Sequence, residues 1–290
     1  MDTVRLGKTN LEVSVAGLGC GGHSRLGQTH GATEAESIAV VQRALDLGIN
    51  LIDTARAYGT EEIVGKAIKG RRHDVVLSTK ALLDTEDSLT ASLDKSLKRL
   101  GTDYVDVFFL HGVTLDQYQR IGPDCIAELL ALRDAGKLRH LAISERFADD
   151  AGHAMLPIAL ADACWDVVMV GFSILNPSAR TRVFPITTEQ DVAVLVMFAV
   201  RKALSSPDEL HKVLASVAHR EDALDFLVDI VDAAYRFARH EPGTDVVLTG
   251  TGNVAHLESN VESINRRPLS GAYLARLETL FRNVDTLTGN

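Results

Sequence analysis

The sequence predicts an α/β fold, a (β/α)8 or TIM barrel with an N-terminal β-hairpin. Eight short apolar runs recur along the chain of 290 residues, at 13–19, 49–53, 74–80, 103–111, 138–144, 166–172, 191–198 and 245–250. Strands that are apolar on both faces are typical of parallel sheets covered by helices. Helical periodicity fills most of the intervals, and eight such units over about 250 residues fit a closed barrel.

The intervals predict the remaining elements in order. Residues 4–14 predict the hairpin, with its turn at 7–10. A first helix is predicted over 33–48, because Thr33 followed by Glu36 forms a capping box and Gly48 follows the last turn. Another helix is predicted over 86–101. Two helical patterns, roughly 207–219 and 221–240, predict one helix more than a barrel needs.

A doubly wound dinucleotide-binding sheet is the rival fold. The stretch GLGCGG (17–22) fits the pattern GxGxxG after a strand. That fingerprint requires a helix that begins at the glycines, whereas here eleven further residues (23–33) precede helical periodicity. We therefore favour the barrel, and we interpret the glycines as a loop at the end of a strand.

Composition limits the classes of function. No linker or low-complexity tract divides the chain, so we expect one domain over residues 1–290. The net charge of −9 argues against a nucleic-acid partner. The longest apolar run, 192–200, is too short to span a bilayer, and no signal peptide precedes the domain. Three dispersed cysteines without a CxxC pair predict no disulfide framework or metal site and favour a cytoplasmic protein.

Polar residues close several predicted strands. The second strand ends at Asp53, the third at Lys80 and the fourth at His111. Because the C-terminal ends of barrel strands surround one face, these residues should converge, with Tyr58 on the loop that follows Asp53. Each residue alone has an ordinary structural explanation, as a cap, a core histidine or a packing contact. Their combination indicates an active site.

The four residue types suit proton transfer at a carbonyl or an alcohol. A free phenol has a pKa near 10 and is a poor acid or base at neutral pH. A neighbouring ammonium lowers that pKa, and a carboxylate keeps a buried lysine charged. A tyrosine adjusted in this way can protonate a carbonyl oxygen while hydride arrives at carbon. An imidazole beside it can orient the same oxygen.

The segments LIDTARAYGTEEIVGKAI (51–68), VLSTK (76–80) and DVFFLHG (106–112) resemble signature segments of the aldo-keto reductases, TIM barrels that bind a nicotinamide dinucleotide. The N-terminal hairpin and GTGNVAHLESNVESI (250–264) are similar too. The resemblance implies that Tyr58 is the general acid/base and Lys80 its pKa-lowering neighbour. It also implies that Asp53 is the ion-pair partner of the lysine, and that His111 orients the substrate carbonyl.

The resemblance also implies cofactor contacts, some of them altered. Ser144 is retained where the family holds the nicotinamide carboxamide, but Glu145 replaces an asparagine and Met169 a glutamine. Phe198 keeps the ring that stacks on the nicotinamide. Arg201 could face the pyrophosphate or simply begin a solvated helix. The remaining expected contacts are Gly21, Gly250, Thr251, Gly252, His256 and Asn260.

The segment 250–260 bears on the choice between NAD and NADP. Members that use NADP place a lysine or arginine there for the 2′-phosphate, whereas this chain has only His256. Loss of a charge-assisted phosphate contact should weaken NADP binding by about 2 kcal/mol. The sequence therefore favours NAD, although basic residues from another loop could supply the contact.

The sequence says less about the substrate than about the cofactor. His23 and Arg25, on the loop 23–31, predict a polar or anionic substrate, although a solvated loop explains them equally well. The leading prediction is an NAD(P)-dependent oxidoreductase acting on a small sugar, aldehyde or ketone. The altered carboxamide contacts leave open a nicotinamide-sensing subunit, like the potassium-channel β subunits, or an epimerase or lyase that uses bound NAD. The oligomeric state is not predicted.

Overall fold

Eight parallel strands close into a barrel in the computed structural model, which describes residues 1–217 and 224–284. Its strands are β3 (Ala16–Gly19), β4 (Leu51–Asp53), β5 (Val76–Ala81), β6 (Val105–Val113), β7 (Leu138–Glu145), β8 (Val167–Gly171), β9 (Ala193–Met197) and β10 (Val246–Thr249). They are hydrogen-bonded in sequence order, and β10 pairs with both β9 and β3. The predicted barrel is confirmed.

Helices surround the barrel. In chain order they are α1 (Glu34–Asp46), α2 (Glu61–Ala67), α3 (Leu89–Leu100), α4 (Leu115–Arg120), α5 (Pro123–Asp134), α6 (Met155–Leu160), α7 (Ala179–Arg182), α8 (Phe184–Glu189), α9 (Pro207–Val217), α10 (Ile230–Arg239), α11 (Val254–Asn265) and α12 (Gly271–Phe281). Short 3-10 helices occupy Gly7–Thr9, Arg25–His30, Arg56–Tyr58, Arg72–Asp74 and Lys202–Ser205.

An antiparallel hairpin of β1 (Thr3–Arg5) and β2 (Glu12–Ser14) precedes the barrel, as predicted. Its apolar residues Leu6, Leu11 and Val13 are buried in one cluster with Leu51, Phe109 and other side chains of the barrel strands. A larger cluster fills the space between the strands and the helices. The hairpin therefore extends the core of the barrel interior.

Local signals in the sequence agree with the helix ends. Thr33 and Glu36 form the predicted capping box at the start of α1.

The glycine-rich stretch 17–22 begins in β3 and leads into turns and a 3-10 helix rather than an α-helix, so the rival doubly wound fold is wrong.

α9 and α10 correspond to the two predicted helical patterns. α10 begins later than predicted because the side chain of Asp229 caps it at Ile230, and residues 218–223 lie outside the described part of the chain.

Strand register places the polar strand ends together. Asp53 on β4 lies opposite Ser78 on β5. Lys80 is two residues further along β5 and therefore points to the same side of the sheet as Ser78. Lys80 in turn lies opposite Phe109 on β6, two residues before His111. Asp53, Lys80 and His111, on three successive strands, thus lie at the same end of the barrel.

A buried carboxylate fixes β5 and β6 near their beginnings. Asp106, 2% exposed, accepts hydrogen bonds from Arg72 Nη2, Arg139 Nη1 and the backbone N–H of Leu77, each at 2.9 Å. All the donors are on the chain segments that flank or form β5, β6 and β7. Charge-assisted bonds to a buried acid are the strong class of hydrogen bond, so this cluster holds the strands that carry the site in register.

We expect Asp106→Ala to lower the free energy of unfolding by about 3 kcal/mol, because it leaves a buried N–H and two arginines without their acceptor. Urea denaturation measures this. Asp94→Ala is the matched control, since it removes one exposed pair with Lys137 and should change stability little. Equal effects of the two substitutions would contradict the importance assigned to Asp106.

Candidate active site

An ion pair between Lys80 and Asp53 lies at the centre of the site. Lys80 Nζ donates to Asp53 Oδ1 at 2.5 Å and Oδ2 at 2.6 Å, and to the carbonyl of Thr54 at 2.9 Å. Ser78 Oγ donates to the same carboxylate at 2.5 Å. Lys80 is 1% exposed and Asp53 2%. A buried ammonium with three acceptor contacts is fixed in both position and charge.

Tyr58 and His111 lie above this pair. The Tyr58 hydroxyl is 3.3 Å from His111 Nε2, and the two rings meet edge to face with centroids 5.3 Å apart. Lys80 Nζ is 5.2 Å from the centroid of the Tyr58 ring. The structure therefore brings together all four residues that the sequence predicted to be catalytic. Their roles stay predictions.

The net pKa of Tyr58 is raised, although the sequence led us to expect that Lys80 would lower it. Burial raises the pKa of Tyr58, and the charge and hydrogen bond of Lys80 lower it without cancelling the effect of burial. Burial also acts on Lys80, where it lowers the pKa. The charge of Asp53 and the other partners outweigh it, so the net pKa of Lys80 is raised. The lysine is thus a permanent cation, and the tyrosine holds its proton.

His111 is a neutral imidazole. Burial, followed by the positive charges of Lys80 and Arg146, lowers its pKa from 6.5 to about 3. Its Nδ1 is buried and has no partner among the described residues. A neutral ring beside the Tyr58 hydroxyl can exchange a hydrogen bond with an oxygen placed between them, but it adds no charge to the site.

A cavity of about 1890 Å³ opens beside the four residues. Its wall includes Asp53 and Tyr58 and continues to the start of α11. Of the predicted cofactor contacts, it is lined by Gly21, Met169, Phe198, Arg201, Gly250, Thr251, Gly252, His256 and Asn260. Nine residues that are far apart in the sequence, each predicted to contact the cofactor, therefore line one cavity. That cavity is large enough for a dinucleotide together with a small substrate.

Gly21 has a steric role in this wall. A Cβ at this position would lie 2.4 Å from a carbon of the Tyr58 ring. Only glycine leaves room for the phenol as it is placed here. Gly21 was predicted to contact the cofactor, but its contact with Tyr58 already explains why a glycine is needed at this position.

The far part of the wall is ordered by hydrogen bonds. Asn253 caps α11 by accepting from the N–H of His256. The amide of Asn260 donates to Thr249 Oγ1 at 2.9 Å, and that hydroxyl is also 2.9 Å from the hydroxyl of Tyr235. The twelve-residue helix α11 presents its N-terminus to the cavity, and such a terminus suits a phosphate group.

The structure does not bring Ser144 and Glu145 to the cavity wall. Ser144 Oγ accepts from the N–H of Gly112 at 2.8 Å and donates to the carbonyl of Leu110 at 3.3 Å. The two oxygens of Glu145 lie 2.9 and 3.0 Å from His153 Nδ1, and one accepts from the N–H of Gly171 at 2.8 Å. Both side chains thus make their hydrogen bonds within the protein, and their contacts with a carboxamide stay predictions.

An aromatic row connects this buried pair to the cavity. The ring of His153 lies 5.6 Å from that of Phe147, which lies 5.9 Å from that of Phe198. A Cβ on Gly171 would meet the Phe147 ring at 2.5 Å, so the glycine is required there. The guanidinium of Arg201 covers the Phe198 ring at 4.4 Å. The ring of Phe198 is therefore in contact with Phe147 and is covered by the guanidinium of Arg201.

The predicted substrate loop divides into two parts. His23 lines the cavity, and its ring meets that of His30 at 5.2 Å. Arg25 is exposed and is not among the cavity-lining residues that the structure describes. Sequence reasoning missed His153 and Phe147, because no local pattern connects them to Glu145. It also missed Arg146, although that residue directly follows the end of β7.

Comparison with known proteins decides the family. The model of the aldo/keto reductase family matches residues 18–281. The chain belongs to the aldo/keto reductase family. L-galactose dehydrogenase from Arabidopsis thaliana is 27% identical to it, over 98% of this chain and 95% of that protein. The predicted family and the prediction of an oxidoreductase are confirmed.

Solved structures agree on the fold of this aldo/keto reductase. The holo form of aldo-keto reductase AKR11C1 from Bacillus halodurans is 26% identical, with a TM-score of 0.77 and 100% of both chains covered. An aldo/keto reductase from Klebsiella pneumoniae, in complex with NADP and acetate, is 22% identical, with a TM-score of 0.74 and coverage of 96% of this chain and 95% of that one.

The described residues contain no helix long and apolar enough to cross a membrane, and no group of three or more His, Cys, Asp or Glu side chains arranged to hold a metal ion. Cys20, Cys125 and Cys164 are free thiols.

The neutral state of His111 should have a cost in stability at low pH. Because its pKa falls from 6.5 in the unfolded chain to about 3 in the folded one, the unfolded state binds more protons between these values, and stability falls as pH falls. Between pH 6.5 and pH 5 the loss should be about 2 kcal/mol. Urea denaturation of the wild type and His111→Asn should show that the variant lacks this loss. His73→Asn, at an exposed histidine, should retain the wild-type slope.

Proposed function

We propose that this aldo/keto reductase interconverts a carbonyl and an alcohol on a small polar substrate, with Tyr58 as the general acid/base. The observation that carries the proposal is the placement of the Tyr58 hydroxyl. It lies 3.3 Å from a neutral His111 and over the buried Lys80–Asp53 pair, at the wall of the cavity. A carbonyl oxygen between Tyr58 and His111 would have two hydrogen-bond donors, and one of them can transfer its proton.

The residues of the chain account for the proton and the positioning. In the reductive direction, Tyr58 gives its proton to the carbonyl oxygen as negative charge develops there. The phenolate that results is stabilised by Lys80, whose charge Asp53 maintains. His111 holds the oxygen in place. In the oxidative direction the same groups act in reverse, and Tyr58 begins as the base.

The cavity fits a nicotinamide dinucleotide as the hydride carrier. Its wall combines the supported ring of Phe198, the backbone at Gly21 and Gly252, and the N-terminus of α11. Hydride is the contribution of the dinucleotide when it is bound. Phe198 would support the nicotinamide, and Asn260 the adenine end. Because Ser144 and Glu145 bind within the protein, Phe198 would carry more of the orientation than the family pattern implies.

We expect Tyr58→Phe to lower kcat by at least 10²-fold while dinucleotide binding changes little, because only the transferable proton is lost. Steady-state turnover over a panel of aldehydes, ketones, sugars and alcohols, with fluorescence titration of cofactor, measures both quantities. Tyr273→Phe, an exposed position on α12, is the control.

Retention of most of the turnover by Tyr58→Phe would contradict the assignment of the acid/base. A wild type that binds dinucleotide tightly but turns over no substrate would instead favour a nicotinamide-sensing subunit. Product formation without any net change in the dinucleotide would favour an epimerase or lyase.

We propose NAD rather than NADP as the cofactor, because the segment 250–260 has no lysine or arginine for a 2′-phosphate. The only side chain in 250–260 that can carry positive charge is His256. Elsewhere the described wall has Arg201, Lys202 and two histidines, His23 and His30. Arg201 covers the Phe198 ring. The relative from Klebsiella pneumoniae is bound to NADP and points to the other dinucleotide, but at 22% identity it supports the fold rather than the choice of cofactor.

Ser259 provides the test of cofactor choice, because it is exposed on α11 and lines the cavity. Wild type should bind NADH at least tens-fold more tightly than NADPH. Ser259→Arg should lower the Kd for NADPH by about 30-fold, as expected for one charge-assisted phosphate contact, and leave the Kd for NADH unchanged. Ala255→Arg adds the same charge to the same helix outside the cavity wall and should have little effect. Equal affinities of the wild type would overturn the preference.

A further inference from the structure

We infer that Arg146 is a specificity residue, and that it binds an anionic group, a carboxylate or a phosphate, on the same substrate whose carbonyl lies between Tyr58 and His111. The inference rests on the proposed function and adds the class of substrate to it. Arg146 occupies the first position after β7, which ends at Glu145.

Arg146 is held next to the catalytic imidazole. Its Nε donates to the carbonyl of Gly112 at 3.2 Å, and Gly112 directly follows His111. Its charge is close enough to contribute to the lowered pKa of His111. The guanidinium therefore lies beside the backbone that follows His111, one residue from the ring that is proposed to orient the carbonyl.

Most N–H groups of the Arg146 guanidinium make no hydrogen bond to the described residues. The side chain is 44% exposed, and its one ion pair is an exposed contact with Asp149 at 3.7 Å from Nη1, too long for a hydrogen bond. An exposed pair of this kind is weak and can be exchanged for a ligand. Among the described residues, Gly112 is the only hydrogen-bond partner of the Arg146 side chain. The planar fork of N–H donors that remains matches the oxygens of a carboxylate or phosphate.

The position of Arg146 is fixed from beneath by a buried pair. The neighbouring Glu145 is fully enclosed and bonded to His153 and to the N–H of Gly171. These contacts tie both ends of the segment 145–153 to the barrel. Because Glu145 is anchored inside, its neighbour along the extended chain is directed outward, toward the rim. The contacts of Glu145 thus help to fix the backbone from which Arg146 extends.

The charges of the cavity agree with an anionic ligand. The carboxylates that line the described wall are all engaged. Asp53 binds Lys80, Glu36 caps α1, Asp229 caps α10 and Glu209 pairs with Lys212. Arg201 lines this cavity and lies over Phe198, whereas Arg146 is not among the wall residues and contacts Gly112, next to His111. The one carboxylate at the reacting end, Asp53, is already paired with Lys80 and would not repel an anion.

Matched pairs of carbonyl compounds test the inference. We would measure kcat and KM for 4-oxobutanoate against butanal, and for glyceraldehyde 3-phosphate against glyceraldehyde, with reduced dinucleotide at saturation. Wild type should prefer at least one anionic member by tenfold or more in kcat/KM. Arg146→Gln should raise the KM of that anionic substrate at least tenfold and leave its neutral partner within twofold. Arg146→Lys should restore part of the difference.

Control variants separate local binding from general electrostatics. Arg282→Gln removes the same charge at an exposed position directly after α12 and should leave both ratios unchanged. Turnover of the neutral and anionic members with equal efficiency, unaffected by Arg146→Gln, would overturn the inference and leave the proposed function intact. Absence of turnover with every carbonyl compound would overturn both. The pair whose ratio responds to Arg146→Gln identifies the anion as carboxylate or phosphate.

Discussion

A single buried ion pair determines how the rest of the site is built. An ammonium that is 1% exposed is stable only with a carboxylate in contact, and Asp53 provides it at 2.5 Å. The pair requires β4 and β5 in one register and a hydroxyl from Ser78 on the shared oxygen. It also sets the environment of the phenol above it. Burial holds the proton on Tyr58, while the fixed charge of Lys80 favours its release.

The features that the sequence made predictable are those with a local or periodic signal. Parallel strands produce apolar runs, and the polar residue that closes each run was visible at Asp53, Lys80 and His111. The capping box of α1 and the N-terminal hairpin carry similar local signals. These local signals gave the right placement, whereas the helical pattern at 221–240 set the start of α10 too early.

Features that depend on partners distant in sequence or conformation were not predictable. Glu145 was expected at the cofactor because the resemblance places it where the family has an asparagine, but its carboxylate binds His153, a residue in the left-handed conformation with φ of 59°. The aspartates and the glycine between them favour a turn, but nothing in the sequence indicates that the turn brings the imidazole to this carboxylate. The net pKa of Tyr58 was also beyond reach, because it depends on how burial compares with the charge of Lys80. Both outcomes are set by three-dimensional packing.

The contact between Gly21 and Tyr58 has an evolutionary consequence. A methyl group on residue 21 would occupy space that the phenol ring already fills, at 2.4 Å from a ring carbon. The identity of one position is therefore conditional on the other, although 37 positions separate them in the sequence. A lineage that lost the tyrosine would be free to accumulate side chains at residue 21. Once such a side chain was fixed, regaining tyrosine alone would not rebuild the site. The loss of the phenol would thus tend to be irreversible by single substitutions.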